Sequence, residues 1–170
     1  MRKILSILIL IGSIFTLAGC ENLTFTIIQD HTFEGGGVEV TLTTEFTERE
    51  PNRNKQILWL TSKKHMFDAY SEPKAPLVSS NIKTLEQYMK AVLVAGNKAD
   101  SEILEGETSE GVRYLYAYYE NEGNDKIYKY MLLTFEGAET FYTMNFGCLT
   151  ENFDANLDQY KKWAATIKVE

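Results

Sequence analysis

The chain has 170 residues, 44% of them hydrophobic, and a formal net charge of −7 at pH 7. A chain of this length suits one hydrophobic core, which at that size buries about two thirds of the unfolded surface. The excess of acids argues against nucleic acid as a partner and against electrostatic docking to anionic lipid, since both need clustered Lys and Arg.

At the N-terminus, Arg2 and Lys3 precede an apolar stretch from Ile4 to Leu17, and Leu17-Ala18-Gly19-Cys20 closes it. A basic start, an apolar run and small residues in that order make a secretory signal. The run is shorter than the ~20 residues needed to cross a bilayer, and Gly12, Ser13 and Thr16 interrupt it. The closing tetrapeptide resembles the lipobox of bacterial lipoproteins, in which the Cys at the first mature position receives a diacylglyceryl thioether. The resemblance implies a signal peptide over residues 1–19, lipidation of Cys20, and a folded part on the extracytoplasmic side of a membrane in the cell envelope. Two acyl chains, at about 0.8 kcal/mol per buried methylene, hold a protein stably where one chain does not. Residues 1–19 carry two basic residues and no acid, so their removal leaves 151 residues and a net charge of −9. With Cys20 acylated, Cys148 has no partner in the chain. It is expected to be a buried small hydrophobe after the aromatic run Tyr142–Phe146.

Residues 20–37 read as a lipidated N-terminus with a short leader strand over Leu23–Ile28, which alternates in strand fashion. Gly35-Gly36-Gly37 precedes a strand pattern, Val38 to Leu42, and not a helix, so it reads as a turn or joint rather than a phosphate loop. A single domain is expected over residues 38–170. Ile57–Leu60 and Met66–Tyr70 flank Ser62-Lys63-Lys64 as a hairpin, and Glu72–Asn81, with Pro73 and Pro76, reads as a loop. Thr84 with Gln87 forms a capping-box pattern. Leu85, Tyr88, Met89, Val92 and Leu93 then share one helical face, and Gly96-Asn97 supplies the stop. Glu102–Glu107, Val112–Tyr119, Lys126–Phe135 and Thr140–Phe146 form a meander. Its short links, Ser109–Gly111, Asn121–Asp125 and Gly137-Ala138, join antiparallel neighbours. A last helix carries Phe153, Leu157, Tyr160, Ala164 and Ile167 on one face, with Asp154 near its start and Lys161 and Lys162 near its end.

Thr84-Leu85-Glu86-Gln87-Tyr88, Gly111-Val112-Arg113-Tyr114, Phe141-Tyr142-Thr143-Met144-Asn145-Phe146, Asn152-Phe153 and Ala165-Thr166-Ile167-Lys168-Val169 together resemble the PsbP-like family over roughly residues 38–170. The resemblance implies an α+β fold, an antiparallel β-sheet with helices packed on it. It also implies a binding module without chemistry of its own. No metal or partner motif of that family transfers position by position, and one scaffold hosts unrelated sites.

The residues themselves offer little for catalysis. His31 and His65 belong to no His-Glu-x-x-His or Cys/His set, and no Gly-x-Ser-x-Gly elbow occurs. His65 and Asp68, three apart in a strand, point to opposite faces, so no base with an orienting acid is built there. The acids Glu45, Glu48, Glu50 and Glu102, Glu105, Glu107 lack the spacing of a calcium loop, and Asn121–Asp125 has the composition of a hairpin tip. No cofactor, metal or catalytic residue is therefore expected. Tyr114, Tyr116 and Tyr118 share a strand face, with Tyr128 and Tyr130 on the neighbouring strand. Exposed, they would form a binding face for a sugar or a partner; covered by a helix, they are core. The sequence thus reads as a non-enzymatic envelope lipoprotein with a protein partner, the alternative being a binding protein or sensor for a small apolar or sugar ligand.

Overall fold

The computed structural model describes residues 29–170; the signal over 1–19, Cys20 and the strand expected over Leu23–Ile28 lie outside the described residues. Strands β1 (Asp30–Gly35) and β2 (Val38–Thr43) form a hairpin, in register from Asp30↔Thr43 to Gly35↔Val38. Its turn places Gly36 and Gly37 at φ 56° and 83°, where a side chain is strained. The stretch just before Val38, expected to be a leader, is therefore hydrogen-bonded to the first domain strand and buries Phe33. Phe33 is the one apolar residue in β1, too little to mark a strand by alternation.

Short β3 (Thr47–Glu48) pairs with β4 (Gln56–Thr61), and β4 forms the expected hairpin with β5 (Met66–Pro73). Where a loop is expected, β5 runs on to Pro73 and is followed by one helical turn, α1 (Lys74–Leu77), and a 3-10 turn over Val78–Ser80. Pro76 fits because backbone N–H groups in a first turn have no intrahelical acceptor. Helix α2 (Leu85–Ala95) has the expected capping box: the Gln87 amide donates to Thr84 Oγ1 at 3.3 Å, and the Thr84 amide donates to Gln87 Oε1 at 3.3 Å.

The meander is β6 (Leu104–Glu107), β7 (Arg113–Gly123), β8 (Lys126–Glu136) and β9 (Thr140–Leu149). Its central hairpin is longer than expected. Asn124 and Asp125 alone turn the chain, at φ 52° and 57°, as a two-residue turn with both centres left-handed requires. Helix α3 (Thr150–Ala164) follows β9 directly. Ile167 belongs to the core under α3 yet lies past the helix end, where the Thr166 hydroxyl donates to the Trp163 carbonyl at 2.7 Å and accepts from the Thr41 amide at 3.0 Å. Strand β10 (Lys168–Val169) then pairs with β2.

One sheet has the order β1-β2-β10 and the other β3-β4-β5-β9-β8-β7-β6, with every pairing antiparallel. Central β9 sorts its side chains by alternation. Tyr142, Met144, Phe146 and Cys148 join the core shared with α3 and the small sheet, while Phe141 joins the core under α2. Cys148 is buried, as expected of a small hydrophobe.

Candidate functional site

The tyrosines singled out by spacing divide between the two faces of the large sheet. Tyr114, Tyr116 and Tyr118 run along the α3 face with ring centroids 6.0 and 5.6 Å apart, and Tyr118 meets Phe153 of α3 edge-on at 5.7 Å. Tyr114 is buried, and Tyr116 and Tyr118 are half-buried against the same core. Burial pushes the Tyr118 hydroxyl up to about 12. Tyr130, paired in register with Tyr119, lies on the opposite face. Alternation along two strands hides this split, because only register says which residue of β8 sits beside which of β7.

His31 is exposed against Phe33 at 4.6 Å. His65 and Asp68 do face opposite sides. His65 Nδ1 is 3.0 Å from the Tyr160 hydroxyl of α3, and burial holds its imidazole below the ordinary value. His65, Tyr128 and Cys148 line a cleft of about 560 Å³. The Cys148 thiol there donates to the Leu149 carbonyl at 3.3 Å and also lies against the Tyr160 hydroxyl that His65 contacts, so Tyr160 stands between thiol and imidazole.

Asp68 lies on the α2 side of the large sheet. It is 3% exposed in β5 and opposite Asn145 of β9. Asn145 Nδ2 donates to Asp68 Oδ1 at 2.8 Å, and the Tyr70 hydroxyl donates to Asp68 Oδ2 at 3.0 Å. Behind these stand two further donors: the Tyr119 hydroxyl to Asn145 Oδ1 at 3.1 Å, and Arg53 to the Tyr70 oxygen at 3.3 Å. Two of these four donors reach the carboxylate and two brace the groups that hold it, which orients it from both sides. Burial nevertheless pushes the Asp68 carboxyl above its ordinary value, against the opposing pull of Asn145, Tyr70 and Arg53. Burial, and then the Asp68 charge, raises Tyr70 to about 12.

The aromatic wall of this site depends on a glycine. A methyl at Gly147 would come within 2.5 Å of the Tyr130 ring, so the bare backbone lets that ring lie against β9. The Tyr130 ring then stacks on Tyr119 at 4.9 Å with 13° between planes, and Lys98 Nζ stands 5.8 Å from the Tyr119 centroid. Helix α2 stops at Ala95, leaving this end of the sheet uncovered. A cleft of about 420 Å³ opens there, lined by Arg53, Asp68, Tyr119, Tyr128, Tyr130 and Asn145. A second, of about 230 Å³, lies between Tyr119 and the α2 terminus.

Sequence reasoning considered Asp68 only beside His65 and passed over Arg53, Tyr70, Tyr119 and Asn145 as site residues. One signal was available. Asp68 is the single polar residue of Met66–Tyr70, and Asn145 stands with Thr143 in the aromatic run Phe141–Phe146; a buried polar group needs a partner. Among the described residues, no group of three or more His, Cys, Asp or Glu is placed to hold a metal ion.

No protein-family model matches the chain, and no curated protein sequence does. Solved structures do. The solution structure of cyanobacterial PsbP (CyanoP) from Synechocystis sp. PCC 6803 superposes with a TM-score of 0.59 over 91% of this chain and 99% of that one, at 11% identity. The fold is PsbP-like. A Bacteroides thetaiotaomicron protein superposes at 0.56 with 8% identity, covering 79% of this chain and 45% of the other. The Ran-binding protein Mog1p of Saccharomyces cerevisiae does so at 0.52 with 7% identity, covering 84% and 96%. At such identities the likeness is one of architecture, and the Asp68 cleft of this PsbP-like domain has to be read from its own residues.

Proposed function

We propose that this chain is a bacterial envelope lipoprotein, held on the extracytoplasmic side of a membrane through Cys20, whose PsbP-like domain is a non-enzymatic module that binds another envelope component. The anchor rests on Leu17–Cys20 after the apolar run. The observation that carries the binding role is the uncovered sheet end past α2, where hydrogen-bonding side chains and tyrosine rings are held in fixed positions without a joined nucleophile and base. Cross-linking in native membranes, followed by mass spectrometry, is expected to recover the same partner repeatedly, with Cys20 carrying the mass of its acyl chains. A bare thiol at Cys20 together with recovery in the soluble fraction would overturn the anchor, and repeated cross-linking without a partner would overturn the interaction role.

A second reading, a carrier or sensor for a small ligand, is favoured by the concavity around Asp68. The concavity does not lie between sheet and helix. That space is filled by Leu85, Tyr88, Met89, Leu93 and Phe141, and the opening lies beyond the helix end.

A further inference from the structure

We infer that the cleft above Asp68 is a saccharide site, taking a neutral sugar ring either as a free oligosaccharide or as a segment of a glycan polymer. The inference rests on the reading of the domain as a binding module and names its ligand.

Three features of the cleft carry it. Its size, about 420 Å³, lies within the roughly 300–1,000 Å³ of small-ligand sites. Its polar base is already ordered. Each Asp68 oxygen accepts one protein hydrogen bond, and a carboxylate oxygen has room for a second, so acceptor capacity remains where the little of Asp68 that is exposed forms the cleft floor. Because Asn145, Tyr70, Tyr119 and Arg53 hold that carboxylate before any ligand arrives, little ordering entropy is left for binding to overcome. Its wall is aromatic, formed by Tyr128 and by the edges of the Tyr119–Tyr130 stack, with the Tyr128 and Tyr130 hydroxyls as polar tips. A sugar ring has that same division, an apolar C–H face and a rim of hydroxyl donors.

Charge separates this ligand from the alternatives. An anion would meet Asp68 beneath and Glu122 at the side, and a cation would meet Arg53 between them, whereas a neutral polyol meets no like charge and supplies the donors the carboxylate lacks. Asn121, Glu122 and Asn124 from the β7–β8 hairpin stand at the open side, placed to bond the next residue of a chain.

The test is calorimetric titration of the full-length lipoprotein in detergent micelles with neutral tetrasaccharides of glucose, mannose, galactose and N-acetylglucosamine. Sedimentation with the corresponding insoluble polymers runs in parallel. Saturable binding of at least one sugar is expected, and the tetrasaccharide and polymer arms distinguish a free ligand from a glycan chain. Asp68→Asn, which keeps the side-chain shape, is expected to weaken binding roughly tenfold or more, because it removes a charged acceptor. The exposed Arg53→Gln and the stacked Tyr130→Leu are expected to weaken it as well, each with its thermal unfolding followed as a folding control. Tyr116→Phe, on the opposite face, should bind as the parent does. Failure of every tetrasaccharide and polymer to bind at millimolar concentration overturns the inference, as does binding that is unchanged in both Asp68→Asn and Tyr130→Leu, or saturation of the same cleft by choline in place of sugars. If sugars fail while cross-linking still recovers a partner, the saccharide assignment falls and the interaction module stands.

Discussion

The two faces of the large sheet are built from the same strands by opposite means. On the α3 side, Phe67, Met131, Phe135, Phe146, Tyr160 and Trp163 close a core continuous with the small sheet. On the α2 side, a smaller apolar cluster reaches only as far as the helix. Beyond Ala95 the sheet carries Asp68, Tyr70, Tyr119 and Asn145 under open cleft. One face is closed by apolar area and the other is held by directed hydrogen bonds. The contrast shows where a small domain can place a site: on the side where its covering helix is too short.

Adjacent residues of β9 test this contrast most sharply. Phe146 is fully buried, with rings of Phe67, Tyr160 and Trp163 at 4.9, 5.6 and 5.8 Å. Phe146→Ala is expected to cost about 3–5 kcal/mol in urea unfolding, from lost transfer energy and the cavity left behind. A loss below ~1 kcal/mol would mean that α3 does not seal that face. One position along the strand, Asn145→Ala is expected to cost less, about 1–3 kcal/mol, because it strands the Asp68 and Tyr119 groups but empties no apolar space. Equal losses at the two positions would erase the distinction between the faces.

The smallest effect is of the opposite sign. Burial raises the folded-state value of Asp68, so its stabilising contribution is complete below the ordinary value of 3.8 and is lost as pH rises through the raised value. Asp68→Asn cannot ionise and escapes that loss. The unfolding free energy of the variant relative to the parent is therefore expected to climb from acid to neutral pH. A difference that stays flat, or falls, would show that the surrounding donors outweigh desolvation and that the carboxylate sits in a well-solvated site.

Much of the fold was legible because its signals are local. The Thr84/Gln87 capping box, the apolar stripe of α2, the β4–β5 hairpin and the Gly-led meander each depend on residues within a few positions of one another. Elements without such signals were missed: β1 has a single apolar residue, and β3 and β10 are two residues each, formed by pairing and not by pattern. The site was less legible still. Asp68 and Asn145 are 77 positions apart, and nothing near either one in the chain announces the other.

The sequence by itself determined the α2 capping box, the meander and the tyrosine-bearing strands, because periodicity, capping and turn chemistry act over one or two turns of chain, and its resemblance to the PsbP-like family implied the α+β class. It also carries the Leu17–Cys20 processing pattern on which the proposed anchor rests. Tertiary structure alone decided that Tyr130 of β8 sits beside Tyr119 of β7, and that α2 ends short of Asp68. It likewise decided that Gly147 admits a ring beside the buried acid. Those outcomes are set by strand register and helix length together, and a shift of one residue in register would turn the side chains of the shifted strand to the opposite side.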